Sequence, residues 1–195
     1  MANTLTNRRH IVQDPPLAER LFADTRMAWL WLPIRLWLGW HWLEAGWHKV
    51  TDPAWVSGGQ ALQGFWTRAV QVEEGARPTI AFGWYRDFLE GLLNSGSYTW
   101  FAPLIAWGEV LIGVALILGA FTGIAAFFGA FLNWNFLMAG TASTNGMMLV
   151  LTVGLILAWK IAGWIGLDRF LLPLVGTPWN RRDYVEPVDR DAVLT

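Results

Sequence analysis

Length, composition and charge already exclude several classes of function. The chain has 195 residues, of which 54% are hydrophobic, and its formal net charge is −1. A charge this close to neutral gives no indication of a nucleic-acid partner. The sequence contains no cysteine, which excludes disulfides, iron–sulfur clusters held by thiolates, thiol chemistry and covalently attached c-type haem.

Residues 1–26 form a polar N-terminal segment ahead of the first apolar stretch. The segment contains Arg8, Arg9, Arg20 and Arg26. Because no apolar core precedes the first stretch, no cleavable signal peptide is predicted. We expect this segment to lie in the cytoplasm.

Four apolar stretches with few charges make up most of the remaining chain. They are Met27–Trp47, Trp100–Leu118, Ile124–Met138 and Met147–Leu167. Crossing a hydrocarbon layer of ~30 Å takes ~20 mostly apolar residues of helix, and only the third stretch is clearly short. Many of the 15 tryptophans lie near the expected helix ends, as is typical of membrane interfaces. The pattern predicts an all-α fold, an integral membrane four-helix bundle over residues 27–172, with lipid as its surroundings.

The connection between the first two stretches, residues 51–99, is too long for a plain loop. It is predicted to hold two short helices separated by Gly75–Pro78. Within Trp84–Leu93 the apolar residues recur at four-residue spacing, and the charged residues lie on the other face. Such a pattern favours an amphipathic helix lying in the membrane interface. Two interpretations stay open: a cap over the helix ends, or a lid over a pocket.

The distribution of arginines predicts the orientation. Arginines flank the bundle in both terminal segments, whereas in residues 51–99 they are balanced by acidic residues. The positive-inside rule then places both termini, including the tail of residues 173–195, in the cytoplasm. We therefore expect a multi-pass protein of a bacterial or archaeal cell (inner) membrane.

Four charged side chains fall within the predicted spans or at their edges: Arg35, Glu44, Glu109 and Lys160. Charges are expensive in lipid, so they usually face the bundle interior and pair. Depths counted from the helix ends at ~1.5 Å per residue predict that Arg35 meets Glu109, with Lys160 joining them or extending inward. The pair has two interpretations, either fixing the helix register or forming a polar site that binds a quinone head group or relays protons.

A second polar cluster is predicted near the outer face. His41, Glu44 and His48 are three and four residues apart, so they share a face of the first helix, and Lys49 is expected to point away from it. No further histidine is available on a facing helix, so no metal site is predicted. The sequence also shows no cofactor-binding motif, and redox chemistry would depend on a diffusible quinone or on partner subunits.

The predicted quinone site combines this cluster with the lid. Glu44, His48 and Asn135 would hold the head group, and Trp84 and Tyr85 would cover it. A few polar contacts inside an otherwise apolar pocket are the usual composition of a ligand site. The alternative is that these side chains only bond the outer connection to the helix ends.

Several short motifs carry a family resemblance. They are Arg35–Gly39, Ala45–Lys49 with Trp55, Asn135–Asn145 and Gly166–Arg169. In order and spacing they resemble the DoxX family of membrane proteins, over about residues 27–172. The size and the long first connection are most similar to the DoxD branch, the membrane subunits of thiosulfate:quinone oxidoreductase. The resemblance implies a subunit that anchors a quinone-linked oxidoreductase complex and offers it a quinone site. The alternative is a non-catalytic accessory subunit of a larger respiratory or photosynthetic membrane complex.

Overall fold

The computed structural model describes residues 14–72, 75 and 77–176, and in this part of the chain every regular element is helical. In chain order the helices are α1 (Pro16–Ala23), α2 (Ala28–Val50), α3 (Pro53–Val56), α4 (Gln60–Val70), α5 (Gly83–Asn94), α6 (Tyr98–Leu118), α7 (Thr122–Met138), α8 (Asn145–Leu157) and α9 (Asp168–Leu174). The predicted all-α class is confirmed, and α4 and α5 are the two helices predicted in the long connection. Half of the predicted N-terminal segment, residues 1–13, and most of the predicted tail, residues 177–195, lie outside the described residues.

The helices α2, α6, α7 and α8 form the bundle, and α2 and α6 are its most closely packed pair. A Cβ added to Gly113 would lie 2.5 Å from the backbone nitrogen of Leu43, and one added to Gly46 would lie 2.6 Å from that of Val110. Glycine is therefore required at both positions, because small residues let helix backbones approach closely. These contacts fix an antiparallel register in which Leu43 is level with Gly113.

The fourth apolar stretch is not one helix, which corrects the predicted span of Met147–Leu167. Helix α8 ends at Leu157, and residues 158–167 continue as hydrogen-bonded turns. The hydrogen-bond partners of this segment explain the difference. The Arg35 guanidinium donates hydrogen bonds to the carbonyl oxygens of Ala162 and Ile165, and the Leu167 amide donates to the Leu118 carbonyl oxygen. Backbone groups that would continue the helix are bonded to neighbouring elements instead.

Apolar side chains face outward on all four helices of the bundle. Exposed examples are Trp40 and Trp47 on α2, Leu104 and Leu111 on α6, Ile124 and Phe127 on α7, and Val150 and Leu157 on α8. Within the described part of the chain, α6 is the one helix that is both long and apolar enough to span a membrane. Helices α7 and α8 are apolar but shorter, with 17 and 13 residues.

The two ends of the bundle are built differently. At one end, which we call the covered end, α3, α4 and α5 lie over the helix ends with a core of their own around Leu62, Trp66 and Leu89. At the other, which we call the terminal end, α1 packs on Trp31 and α9 begins beside Gly119. Both ends of the described chain thus lie on the same side of the bundle.

Candidate ligand pocket at the covered end

A pocket of about 730 Å³ opens at the covered end, between the bundle and α4. Its polar lining residues are His41, Glu44, Lys49, Gln60, Arg68, Glu109, Thr141, Thr144 and Asn145. Trp42, Trp55, Phe65, Phe136 and Met148 supply most of its apolar wall. The volume is typical of small-ligand sites, and the lining combines an apolar wall with charged and polar side chains that can bind a polar group.

An ion pair between Lys49 on α2 and Glu109 on α6 is part of the pocket wall. The Lys49 Nζ atom lies 2.5 Å from Oε2 of Glu109, whose side chain is 1% exposed, whereas that of Lys49 is 18% exposed. The ammonium group also lies 5.3 Å from the centre of the Trp55 ring. Removing one partner of a buried pair leaves an uncompensated charge, so the two groups depend on each other.

The predicted pairing of Arg35 with Glu109 is therefore wrong, and the helix register explains why. With Leu43 level with Gly113, Glu109 lies beside the Lys49 turn of α2, whereas Arg35 lies beside the far end of α6, where a Cβ on Gly119 would collide with its guanidinium. Along α2, Arg35 and Lys49 are about 21 Å apart at ~1.5 Å per residue. Lys160, the third member of the predicted cluster, is exposed.

Arg35 belongs to a separate polar cluster at the terminal end, together with Asp168. Arg35 is 2% exposed and donates to the carbonyl oxygens of Ala162 and Ile165. The Asp168 carboxylate accepts the backbone N–H groups of Phe121 and Thr122, at 2.5 and 2.9 Å. It thereby satisfies donors at the start of α7 that have no partner within that helix. Both charged side chains are occupied with backbone groups, which makes this cluster a part of the fold.

The structure places the histidines of α2 in different surroundings. His41 lines the pocket, and its Nδ1 atom lies 2.9 Å from the Trp37 carbonyl oxygen. His48, a predicted site residue, is exposed and is not part of the pocket wall, whereas Glu44 is. His41, Ala45 and Lys49, which are four residues apart on α2, all line the pocket. This spacing in the sequence could have predicted that Lys49 belongs to the site. Arg68 and Gln60, on α4, were missed as well.

The remaining predicted site residues lie at a second cavity, of about 220 Å³, between α5 and α7. The Tyr85 hydroxyl donates to the backbone carbonyl and to Oδ1 of Asn135, at 3.1 Å each. Burial raises the pKa of Tyr85 to about 12, so the hydroxyl stays protonated as a donor. Trp84 is 59% exposed and contacts the Tyr85 ring from outside. The predicted lid helix thus exists, but it covers this second cavity.

Comparison with known proteins identifies the family. The model of the DoxX family matches residues 30–161, which is more than half of the chain. The chain belongs to the DoxX family. No curated protein and no solved structure matches it.

The match includes the two cavities described above at the covered end of this DoxX protein. All the polar residues of the pocket lie between His41 and Asn145, inside the matched range, and Asp168 lies beyond it. DoxX proteins are membrane-associated, which agrees with the exposed apolar side chains of the bundle. In the described residues no three His, Asp or Glu side chains are grouped so as to hold a metal ion.

Proposed function

We propose that the protein is a multi-pass membrane protein in which α2, α6, α7 and the segment from α8 to Leu167 each cross the bilayer. The outward-facing apolar side chains support this, because single exposed apolar residues are ordinary but continuous coverage of every helix is not. At ~1.5 Å per residue, α2 and α6 reach about 35 and 32 Å. Arg20, Arg26 and Arg169 lie at the terminal end, which under the positive-inside rule faces the cytoplasm of a bacterial or archaeal cell.

Within this membrane setting, the protein acts as a DoxD-like subunit of a quinone-linked oxidoreductase and binds the quinone head group in the pocket. The observation that carries this proposal is the Lys49–Glu109 pair in the pocket wall. Quinone carbonyl oxygens accept hydrogen bonds, and two charged donors line the pocket, Lys49 from α2 and Arg68 from α4. Hydrogen bonds that involve a charged partner are the stronger ones.

The chain's own contribution is to bind the head group and to exchange protons. Glu44 and His41 lie in the pocket wall, and carboxyl and imidazole groups are the side chains that most often pass protons to and from a substrate. Electrons come from a partner subunit, with thiosulfate as the reductant that the resemblance to DoxD implies. The quinone is a diffusible substrate, and no metal or haem is needed in this chain.

A second candidate function is that of an accessory subunit that stabilises a larger respiratory or photosynthetic membrane complex. The observation that favours it is that Lys49 and Glu109 also join α2 to α6. In that case the pocket lining would serve only to attach the outer helices.

The test compares quinone retention by the protein in lipid nanodiscs, corrected for partition into protein-free nanodiscs. Arg68→Leu and Glu44→Gln should each weaken binding of short-chain ubiquinone or menaquinone at least fivefold. His48→Ala is the matched control, because it changes an exposed residue on α2 outside the pocket, and it should bind as the unmodified protein does. Retention equal to that of empty nanodiscs in every variant would leave the accessory function, and subunits that co-purify in mild detergent would then identify the complex.

A further inference from the structure

We propose that the ligand is amphipathic and lies across both cavities, with its polar head in the pocket and an isoprenoid tail in the second cavity, beyond Phe65 and Phe136. This inference rests on the proposed function, because it takes the head-group site from there. It adds the path of the tail, the residues that separate the two compartments and the exit toward lipid.

The two cavities share a wall. Phe65 on α4 and Phe136 on α7 line both of them, and no other lining residue is common to the two. Their ring centres are 6.4 Å apart with the planes at 68°, the edge-to-face arrangement that aromatic pairs prefer. The two rings therefore lie where the compartments meet, and the proposed path of the tail passes between them.

The second cavity is suited to a hydrocarbon chain. Its lining is almost entirely aromatic and aliphatic, and its polar side chains, Tyr85 and Asn135, are bonded to each other. The Asn135 amide nitrogen also donates to the carbonyl oxygen of Phe131, at 2.8 Å. With these groups occupied, the cavity offers little to a polar head, which finds charged donors only on the other side of Phe65 and Phe136.

The second cavity also reaches the outer surface of the bundle. Phe88 on α5 and Phe131 on α7 both line it, and they are 48% and 51% exposed. They therefore mark a lateral opening between the amphipathic helix α5 and α7. A tail leaving by this route enters the apolar surroundings of the bundle without crossing the polar rim of the pocket.

The experiment measures how much the tail contributes to binding. Ubiquinone without a tail and ubiquinone with two isoprenoid units are compared in nanodiscs, each corrected for lipid partition, and the same pair of menaquinones is run in parallel. Leu92→Trp fills the second cavity from α5, because Leu92 lines it. Gly91→Trp is the matched control, since it adds the same side chain to the same helix where a Cβ meets no atom within 4 Å.

We expect Leu92→Trp to weaken binding of the tailed quinone at least tenfold and to change binding of the tail-less quinone less than twofold, whereas Gly91→Trp changes neither. Leu132→Phe, which fills the cavity from α7, should repeat the result if Leu92→Trp does not fold. Equal weakening of both quinones, or of neither, in these variants would overturn the inference while leaving the head-group site in place. Absence of saturable binding of any quinone to the unmodified protein would overturn the proposed function and this inference together.

Discussion

The two ends of the bundle both bury charged side chains, but they use them differently. At the terminal end, Arg35 and Asp168 bond to backbone groups of α7 and of the turns after α8. At the covered end, Lys49 and Glu109 bond mainly to each other and line a cavity. A buried charge alone is therefore no sign of a ligand site. The hydrogen-bond partners of a buried charge indicate its role. A charge bonded to backbone groups stabilises the local fold of the chain, whereas a charge in a cavity wall can be reached by a ligand.

The largest effect is expected from Asp168→Ala at the terminal end. The change leaves two N–H groups at the start of α7 without their acceptor and removes the negative charge that faces Arg35. Losing one member of a buried charged cluster costs about 3–5 kcal/mol of unfolding free energy. Denaturant unfolding in detergent measures the loss, with Asp87→Ala on the exposed face of α5 as the control. A loss below about 1 kcal/mol would contradict the assigned structural role.

A smaller effect is expected from Lys49→Met at the covered end. Glu109 then stays buried without its partner, at a cost of about 2 kcal/mol, because Lys49 is itself partly exposed and the pair is partly screened. Adding Glu109→Gln should recover most of this loss, since both charges are then gone. The matching double change Arg35→Met with Asp168→Ala should recover little, because the backbone groups still lack partners. A double-mutant cycle at each end measures the two couplings. Equal recovery at both ends would remove the distinction between them.

The sequence predicted what depends on local periodicity and missed what depends on register. Apolar runs predicted α2, α6 and α7, and the four-residue stripe predicted α5. The Arg35–Glu109 pairing failed because depths were counted from helix ends as though those ends were level. The contacts at Gly46 and Gly113 show instead that α2 extends about ten residues, or ~15 Å, beyond the end of α6. Nothing local to either helix encodes that offset.

The other wrong or missing predictions at the site depended on contacts between residues that are distant in the sequence. The spacing grouped His48 with His41 and Glu44, but His41 and Glu44 line the pocket together with Lys49, whereas His48 does not. The end of α8 at Leu157 also depends on a distant residue, since Arg35 donates hydrogen bonds to carbonyl oxygens in the turns that follow α8. Arg68 was missed because the weakly amphipathic pattern of α4 shows which side of the helix is apolar. It does not show which cavity the polar side chains of the helix will line.

The smallest effect is expected from Tyr85→Phe, which tests whether the second cavity is a separate compartment of the covered end. Removing the hydroxyl breaks its hydrogen bonds to Asn135 and should cost about 1 kcal/mol at neutral pH. Because burial raises the pKa of Tyr85 to about 12, the unfolded chain loses this proton near pH 10, before the folded protein does. The stabilising contribution of the neutral hydroxyl is therefore fully present below about pH 10 and is lost as the pH rises toward 12. The difference in unfolding free energy between the unmodified protein and Tyr85→Phe should shrink over that interval.

Tyr98→Phe is the control, because it removes a tyrosine of α6 and leaves the bond to Asn135 intact. Binding of the tail-less quinone should be the same in all three proteins, and a large loss in Tyr85→Phe would mean that the head group lies in the second cavity, against the assignment made above.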